Sequence, residues 1–341
     1  MNTYLLNILI GMNKTVFILF LALAFVAGAC SSDKKDGKKA VTAKAQSAPY
    51  ELLVVADKDW LKTSAGQSLM VVVESPVEVL PQVEPNFRVT TIDTRRFDGI
   101  FKFYSNIVVA DVNAKYKKAE VRRAVNIYAR PQTVLYVSAP DNESFMSLMK
   151  EHAGYILDEF NKNEFDRERS LLRKEYSGAV ASKVRKMFGI ELKAPKDVDD
   201  IKVGKSFLWG ADSKREFRQN VCVYTLPLKD MTLEMMVAAR DSVMQINIPG
   251  ESEGQWVETD PRSVMPDVSA CGDVPVAVMR GLWRMRHGAM GGPFVSYYMP
   301  DSIGNRIVVA EGFVFAPDEK KKPIMRQLEA ALQTLVRDAA K

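Results

Sequence analysis

The sequence has few of the residues on which metal sites and histidine-dependent catalysis depend. It contains two histidines and three cysteines in 341 residues. No GxSxG, P-loop, HExxH, paired CxxC or dinucleotide-binding motif occurs. The sequence therefore predicts no metal and no cofactor. Apolar residues make up 47% and charged residues 26% of the chain, which excludes collagen-like, coiled-coil and wholly disordered proteins.

A hydrophobic run long enough to span a membrane is also missing. The longest apolar run, Val16–Val26, is about eleven residues, whereas a spanning helix needs about 20. Lys14 precedes it and small residues follow it, as in a secretory signal peptide over residues 1–29, with Met12 as a second candidate start. The segment VAGAC, ending at Cys30, resembles a bacterial lipobox. We therefore expect lipidation at Cys30, with an ordinary signal-peptidase site nearby as the alternative.

The net positive charge is small beyond residue 48. Residues 1–48 hold six lysines and two aspartates, so four of the five net positive charges lie there. Residues 30–48 are polar and poor in branched apolar side chains, which predicts a flexible tether behind the lipidated cysteine. The nearly neutral remainder gives no support for nucleic-acid binding. The expected contacts are the membrane, through Cys30, and an envelope protein or glycan.

Ser31 follows the cysteine where aspartate would act as a retention signal. This arrangement predicts an outer-membrane lipoprotein. The sequence leaves open whether the body faces the periplasm or the cell surface.

Hydrophobic patterning beyond the tether predicts an α+β protein. We expect a first α+β unit over residues 49–175, a second over 176–262, and a C-terminal hairpin and helix over 263–341 that complete the body. Apolar runs that precede a proline and strands opened by asparagine recur in both units, which favours a duplicated unit. The predicted architecture is antiparallel sheets with helices on one face, including helices near residues 114–128 and 232–245.

The densest special chemistry lies between residues 279 and 301. Gly288, Gly291 and Gly292 surround a turn beside His287 and could supply amide donors for a bound anion. His287 and Asp301 are weak candidate catalytic groups. Ser296 could complete a hydrolytic triad with them, but the spacing of the three residues in the sequence does not support one. The alternative is a hairpin whose glycines allow Trp283 and Phe294 to pack.

Two cysteines remain beyond Cys30. Cys222 and Cys271 are a disulfide candidate in a secreted protein. The alternative is a pair of buried thiols, because Cys222 lies in an apolar strand pattern.

Several stretches of the sequence resemble one family. They are RGLW, MGGPFVSYY, EGFVFAP, Lys320–Lys322, the MRQLEA helix, the QNVCVY strand and the lipobox. Together they are similar to Bacteroidetes lipoproteins grouped as domain-of-unknown-function family 4837, over nearly all of the mature chain. The resemblance implies an envelope location and carries no activity or catalytic residue with it.

Three functions follow from these observations. The first is a non-enzymatic, membrane-anchored binding or assembly module of the cell envelope. The second is an envelope hydrolase that uses the His287 glycine loop. The third is glycan binding through exposed aromatic side chains, with candidates Trp60, Trp209, Trp256, Trp283, Tyr297 and Tyr298.

Overall fold

The structure is a computed structural model that describes residues 43–215 and 218–337. The predicted signal peptide, lipidation at Cys30 and first part of the tether lie outside these residues. The described chain forms two compact units: an N-terminal unit of residues 43–77 and 83–167, and a C-terminal unit of residues 78–82 and 168–337. The first boundary expected from the sequence was residue 175.

The N-terminal unit contains one mixed five-stranded sheet. Its strands are β1 (Glu51–Val55), β2 (Arg88–Ile92), β3 (Asn106–Val112), β4 (Glu120–Val125) and β5 (Thr133–Ala139). They lie in the order β2-β1-β3-β5-β4; all neighbouring pairs are parallel except β4 with β5, which is antiparallel. Parallel strands need cover on both faces, because they are apolar on both.

Both helices of this unit pack on one face of the sheet. They are α1 (Ser64–Val73) and most of α2 (Asn142–Leu172). The Thr63 hydroxyl accepts a hydrogen bond from Gly66 N–H at 3.3 Å and so caps α1. The helices contribute Leu69, Val73, Phe145 and Phe160 to a core with Leu52 and Val54. The opposite face is covered by Phe97, Phe101 and Tyr104 from the segment between β2 and β3.

The prediction of a helix near residues 114–128 is wrong. The structure has the edge strand β4 there, paired with β5 from Glu120 opposite Ser138 to Val125 opposite Thr133. Val121 packs against the helix-side core and Ala124 against the opposite one, which is the alternation of a strand. Apolar side chains are too sparse here to form a helical stripe.

The last part of the predicted tether belongs to the fold. Ala45 N–H donates to the Arg130 carbonyl at 2.9 Å, and Gln46 N–H donates to the Phe103 carbonyl at 2.9 Å. Arg167 also donates to the Ser47 carbonyl at 3.1 Å. The backbone groups of residues 43–47 thus find partners in the N-terminal unit, so a tether reaching residue 48 was too long a prediction.

The C-terminal unit is built on a seven-stranded antiparallel sheet in the order β10-β11-β12-β13-β9-β8-β7. Its strands are β7 (Asp200–Val203), β8 (Phe207–Ala211), β9 (Gln219–Pro227), β10 (Val257–Cys271), β11 (Val274–Met285), β12 (Gly291–Asp301) and β13 (Arg306–Val314). Two short strands, β6 (Ile190–Glu191) and β14 (Val336–Arg337), pair separately. The C-terminal hairpin expected from the sequence, β11 and β12, is therefore part of this sheet.

Helices cover both faces of the seven-stranded sheet. The helices α3 (Gly178–Phe188) and α5 (Lys322–Leu332) pack on one face, and α4 (Leu233–Asn247) packs on the other. The α+β class is confirmed. The prediction that helices lie on one face of each sheet holds for the N-terminal unit alone. The expected duplication is wrong, since one sheet is largely parallel and the other is antiparallel throughout.

A buried ion pair joins α4 to the sheet. The Arg240 guanidinium donates to both carboxylate oxygens of Glu311 at 2.8–3.2 Å, and neither side chain has exposed surface. Thr259 accepts a further bond from Arg240 at 2.9 Å, and Ser296 donates to Glu311 at 2.7 Å. The guanidinium also lies 3.9 Å from the centre of the Phe294 ring. Burial opposes the charge of Arg240, but Glu311 more than offsets this effect and holds the arginine pKa above its ordinary value.

Removing the anion of this pair should destabilise the C-terminal unit strongly. Glu311→Gln leaves a buried guanidinium with only the partly exposed Asp241, 3.6 Å away, as a counter-charge, so we expect the free energy of unfolding to fall by about 3–5 kcal/mol in chemical denaturation. The double variant Arg240→Met, Glu311→Leu should recover most of that loss. Arg262→Met, which breaks an exposed pair with Asp260, should cost less than about 1 kcal/mol. A fall in the free energy of unfolding no larger in Glu311→Gln than in Arg262→Met would contradict a stabilising role for the buried ion pair.

Candidate functional site

His287 lies at the tip of a hairpin. It occupies the turn between β11 and β12, its side chain is exposed, and its φ of 55° is in the left-handed region. Its carbonyl accepts a hydrogen bond from Gln255 Nε2 at 3.0 Å. The turn holds His287 through its backbone. Its imidazole is exposed and has no apolar pocket around it, unlike the acid and base groups of many active sites.

Asp301 and Ser296 do not join His287. Asp301 ends β12 at the opposite end from the His287 turn, a separation of about 33 Å along the strand. Its carboxylate accepts bonds from Arg306 Nε at 2.9 Å and Gly304 N–H at 3.1 Å, and it pairs with Arg337. Ser296 is bound to Glu311 inside the sheet core. The three residues therefore cannot form a hydrolytic triad.

The glycines of this hairpin serve close packing. A Cβ on Gly292 would lie 2.0 Å from the Val314 carbonyl oxygen, and one on Gly291 would lie 2.8 Å from the Trp283 carbonyl oxygen. A Cβ on Gly288 would meet only the Met285 side chain closely, at 2.8 Å. Trp283 Nε1 donates to the same Val314 carbonyl at 3.0 Å. The structure thus favours the hairpin interpretation over an anion-binding loop.

The candidate glycan-binding aromatics are part of the packed interior. Trp283, Tyr297 and Tyr298 are buried. Half-buried Trp60 and Trp209 donate from Nε1 to Asn142 and Asn220 at 2.9 and 3.0 Å. Trp256 is half-buried under the Arg286 guanidinium, which lies 4.6 Å from the ring centre. These side chains form no shared exposed platform on which a sugar could stack.

Cys222 and Cys271 are free thiols, so the disulfide alternative is wrong. They lie in the cores on opposite faces of the seven-stranded sheet. Burial raises the pKa of the Cys271 thiol to about 12 and that of Cys222 well above its ordinary value. Both thiols therefore stay protonated and unreactive at neutral pH.

Neither a metal-ligand cluster nor a membrane-spanning helix occurs in the described part of the chain. Residues 43–215 and 218–337 contain no cluster of three or more potential metal-ligating side chains. No helix in the same ranges combines the length and apolar composition that crossing a membrane requires.

The N-terminal unit contains a cleft of about 490 Å³ at the carboxyl end of β1 and β2. This volume falls within the roughly 300–1,000 Å³ that is typical of ligand pockets. Apolar side chains form much of its lining: Leu61, Met70, Ile92 and Phe101. Lys58, Lys62 and Arg96 add positive charge at its rim, with Gln67 and Asp93 beside them.

This cleft, which we call the β2-edge cleft, follows the outer edge of the sheet. Thr91 points to the face that carries α1, because it pairs in register with Val54. Thr90 and Ile92 point to the opposite face, with Leu53 and Val55. Since side chains from both faces line the same cleft, it extends around the edge of β2.

Hydrogen bonds hold the loops at the carboxyl end of β1 and β2. Asp93 Oδ1 accepts from Arg95 Nε at 2.9 Å and from its backbone N–H at 3.0 Å, and these bonds hold the pKa of Asp93 well below its ordinary value. Asp57 Oδ1 accepts from the backbone N–H groups of Asp59 and Trp60, both at 2.9 Å. The cationic rim is therefore carried on loops that aspartate side chains hold at the ends of β1 and β2.

Sequence reasoning did not find this cleft. Its lining comes from segments between Lys58 and Phe101 that meet only through the parallel pairing of β1 with β2. The one available signal was the polar turn around Arg95 and Arg96 after the second strand, because loops at the carboxyl ends of parallel strands often bind ligands.

Residues 177–334 match the model of a domain of unknown function, DUF4837. This stretch of the chain is a DUF4837 domain. Residues 45–173 match another family model, that of the domain of unknown function DUF8532. The membership expected from the sequence is thus confirmed for the C-terminal unit, but the DUF4837 model does not extend over nearly all of the mature chain. The β2-edge cleft lies in the part that matches DUF8532.

Comparison with solved structures gives only distant likeness. A mutant of the protein Mog1 aligns with a TM-score of 0.30 at 13% identity, covering 45% of this chain and 93% of that one. The Saccharomyces cerevisiae Ran-binding protein Mog1p aligns with a TM-score of 0.30 at 11% identity, covering 45% of this chain and 92% of that one. No curated protein matches the sequence.

The hairpin of the DUF4837 domain should tolerate change at His287 and not at Gly292. Gly292→Ala forces a Cβ against the Val314 carbonyl, so we expect it to lower the free energy of unfolding by about 1–3 kcal/mol. His287→Gly removes a side chain from a left-handed position and should leave stability unchanged or slightly raised. Thermal and chemical denaturation of both variants measures this contrast. Equal stability of the two variants would contradict the packing role of Gly292.

Proposed function

We propose that the chain is a non-enzymatic binding module of the bacterial cell envelope, anchored to the membrane by acyl chains on Cys30. The signal-like leader over residues 1–29 and the lipobox that ends at Cys30 support the anchor. Several acyl chains contribute about 0.8 kcal/mol per buried methylene, which is enough for a stable attachment without a spanning helix.

The β2-edge cleft is the observation that carries the binding role. It combines an apolar lining with cations on fixed loops, and its volume suits a side chain or a small ligand. The groups that suggested hydrolysis serve other purposes, since Ser296 and Asp301 are engaged in hydrogen bonds and ion pairs. Binding therefore accounts for the geometry better than acid–base chemistry.

The proposed partner is a protein of the envelope of a Bacteroidetes cell, and the proposed site of attachment is the outer membrane. Ser31 after the acylated cysteine favours this destination. The near-neutral body beyond residue 48 is consistent with a protein partner rather than nucleic acid.

Loss of the acylated cysteine should release the protein from the membrane. In Cys30→Ser, the thioether to the lipid cannot form, so most of the protein should move from the membrane to the soluble fraction on cell fractionation. Cys271→Ser is the matched control, because that thiol is buried in the core and should not affect fractionation. Persistence of Cys30→Ser in the membrane fraction would rule out the lipid anchor.

The cleft should contact its partner in intact cells. A photo-crosslinking amino acid in place of Gln67, which lines the cleft from an exposed position on α1, should give one discrete adduct on gels. The same amino acid in place of Glu151, an exposed position on α2, serves as the control and should give none. No adduct at Gln67, or the same adducts at both positions, would contradict binding at the cleft.

A further inference from the structure

The open edge of β2 has unused backbone hydrogen-bonding groups. Arg88 N–H donates to the Tyr50 carbonyl at 2.8 Å, and Ala56 N–H donates to the Ile92 carbonyl at 3.1 Å. Alternate residues of a parallel strand direct both backbone groups to the same neighbouring strand, so the N–H and C=O groups of Arg88, Thr90 and Ile92 face β1. The N–H and C=O groups of Val89 and Thr91 therefore point away from the sheet. Within residues 43–215 and 218–337, β2 pairs only with β1.

The cleft provides room for side chains on both sides of this edge. Leu61 and Met70 lie on the α1 side, and Ile92 and Phe101 lie on the other. A strand added beside β2 would place alternate side chains on these two faces. An edge with unpaired backbone groups between two apolar walls is the geometry of peptide recognition by strand addition.

The charge beside the edge selects an acidic occupant. Lys62 and Arg95 are paired with Asp59 and Asp93. Among the described residues, Lys58 and Arg96 form no ion pair, although both line the cleft. The four cations at the carboxyl end of β2 outnumber the three carboxylates beside them, Asp57, Asp59 and Asp93, so the net positive charge there favours a carboxylate on whatever binds.

Other occupants fit less well. A second copy of the β2 edge would supply no carboxylate, because Arg88–Ile92 contains no acidic residue. The leader and tether of this chain hold six lysines against two aspartates over residues 1–48, so their charge also has the wrong sign.

We propose that β2 accepts, as an added strand, an extended segment of a partner protein that alternates apolar side chains with an acidic residue. The Val89 and Thr91 backbone groups would hydrogen-bond to the segment. Lys58 and Arg96 would bind its carboxylate. This inference rests on the proposed binding function and specifies its ligand.

Selection from a phage-displayed library of short random peptides on the purified full chain tests the proposal. We expect the selected peptides to carry aspartate or glutamate among alternating apolar residues. Thr91→Pro removes the outward N–H without removing a bond to β1, so it should weaken the selected peptides by about tenfold or more. Thr91→Val keeps that N–H and should bind them nearly as well as the parent chain.

Charge variants test the second half of the proposal. Lys58→Glu and Arg96→Glu should each weaken binding several-fold, and Lys150→Glu, an exposed change on α2, should not. Should Thr91→Pro fail to fold, amide hydrogen exchange on the parent chain gives the same information, because the added strand should protect the Val89 and Thr91 amides.

The outcomes separate this inference from the function on which it rests. Unchanged binding in Thr91→Pro, unprotected Val89 and Thr91 amides, selected peptides without acidic residues, or no selected peptide at all would overturn strand addition. The Gln67 crosslink in cells would still support a binding function in each of those cases.

Discussion

The buried pair of Arg240 and Glu311 is the interaction on which the C-terminal unit depends. A guanidinium with no exposed surface is tolerated only when its charge and its donors are all matched, because the interior solvates ions poorly. Here the match requires α4, β10 and β13 at fixed positions, since they supply Arg240, Thr259 and Glu311. The pair therefore specifies where the helix lies on the sheet. It also accounts for Ser296, whose hydroxyl completes the coordination of the carboxylate.

The N-terminal unit solves a different problem. The strands β1, β3 and β5 are buried and largely apolar on both faces, so α1 and α2 cover one face and an aromatic segment covers the other. This cover stops at β2, where the loops after β1 and β2 rise past the sheet and leave an apolar-lined edge between them. The cleft is thus a consequence of how the sheet is covered, and its charge comes from polar residues of the same loops that contribute Leu61 and Phe97 to the two cores.

Local patterns predicted the features that local chemistry decides. The strands opened by asparagine, the helix near residues 232–245 and the α+β class followed from the hydrophobic pattern and agree with the structure. The residues 114–128 were mispredicted because an edge strand with few apolar side chains resembles a charged helix until its pairing with β5 is known. Duplication failed for a related reason, since strand direction is set by tertiary pairing. The importance of Arg240 and the existence of the cleft were invisible because each joins segments distant in sequence.

The short segment bound at Ala45 and Gln46 sets a length scale for the whole protein. If Cys30 is acylated as we propose, thirteen residue steps separate it from Ala43, and at most about 3.6 Å per step limits the reach from the lipid surface to about 47 Å. Acylation would therefore confine the β2 edge to a thin layer above the bilayer, where a partner anchored in the same membrane meets it at a high effective concentration. Weak strand addition would then suffice to hold the two together.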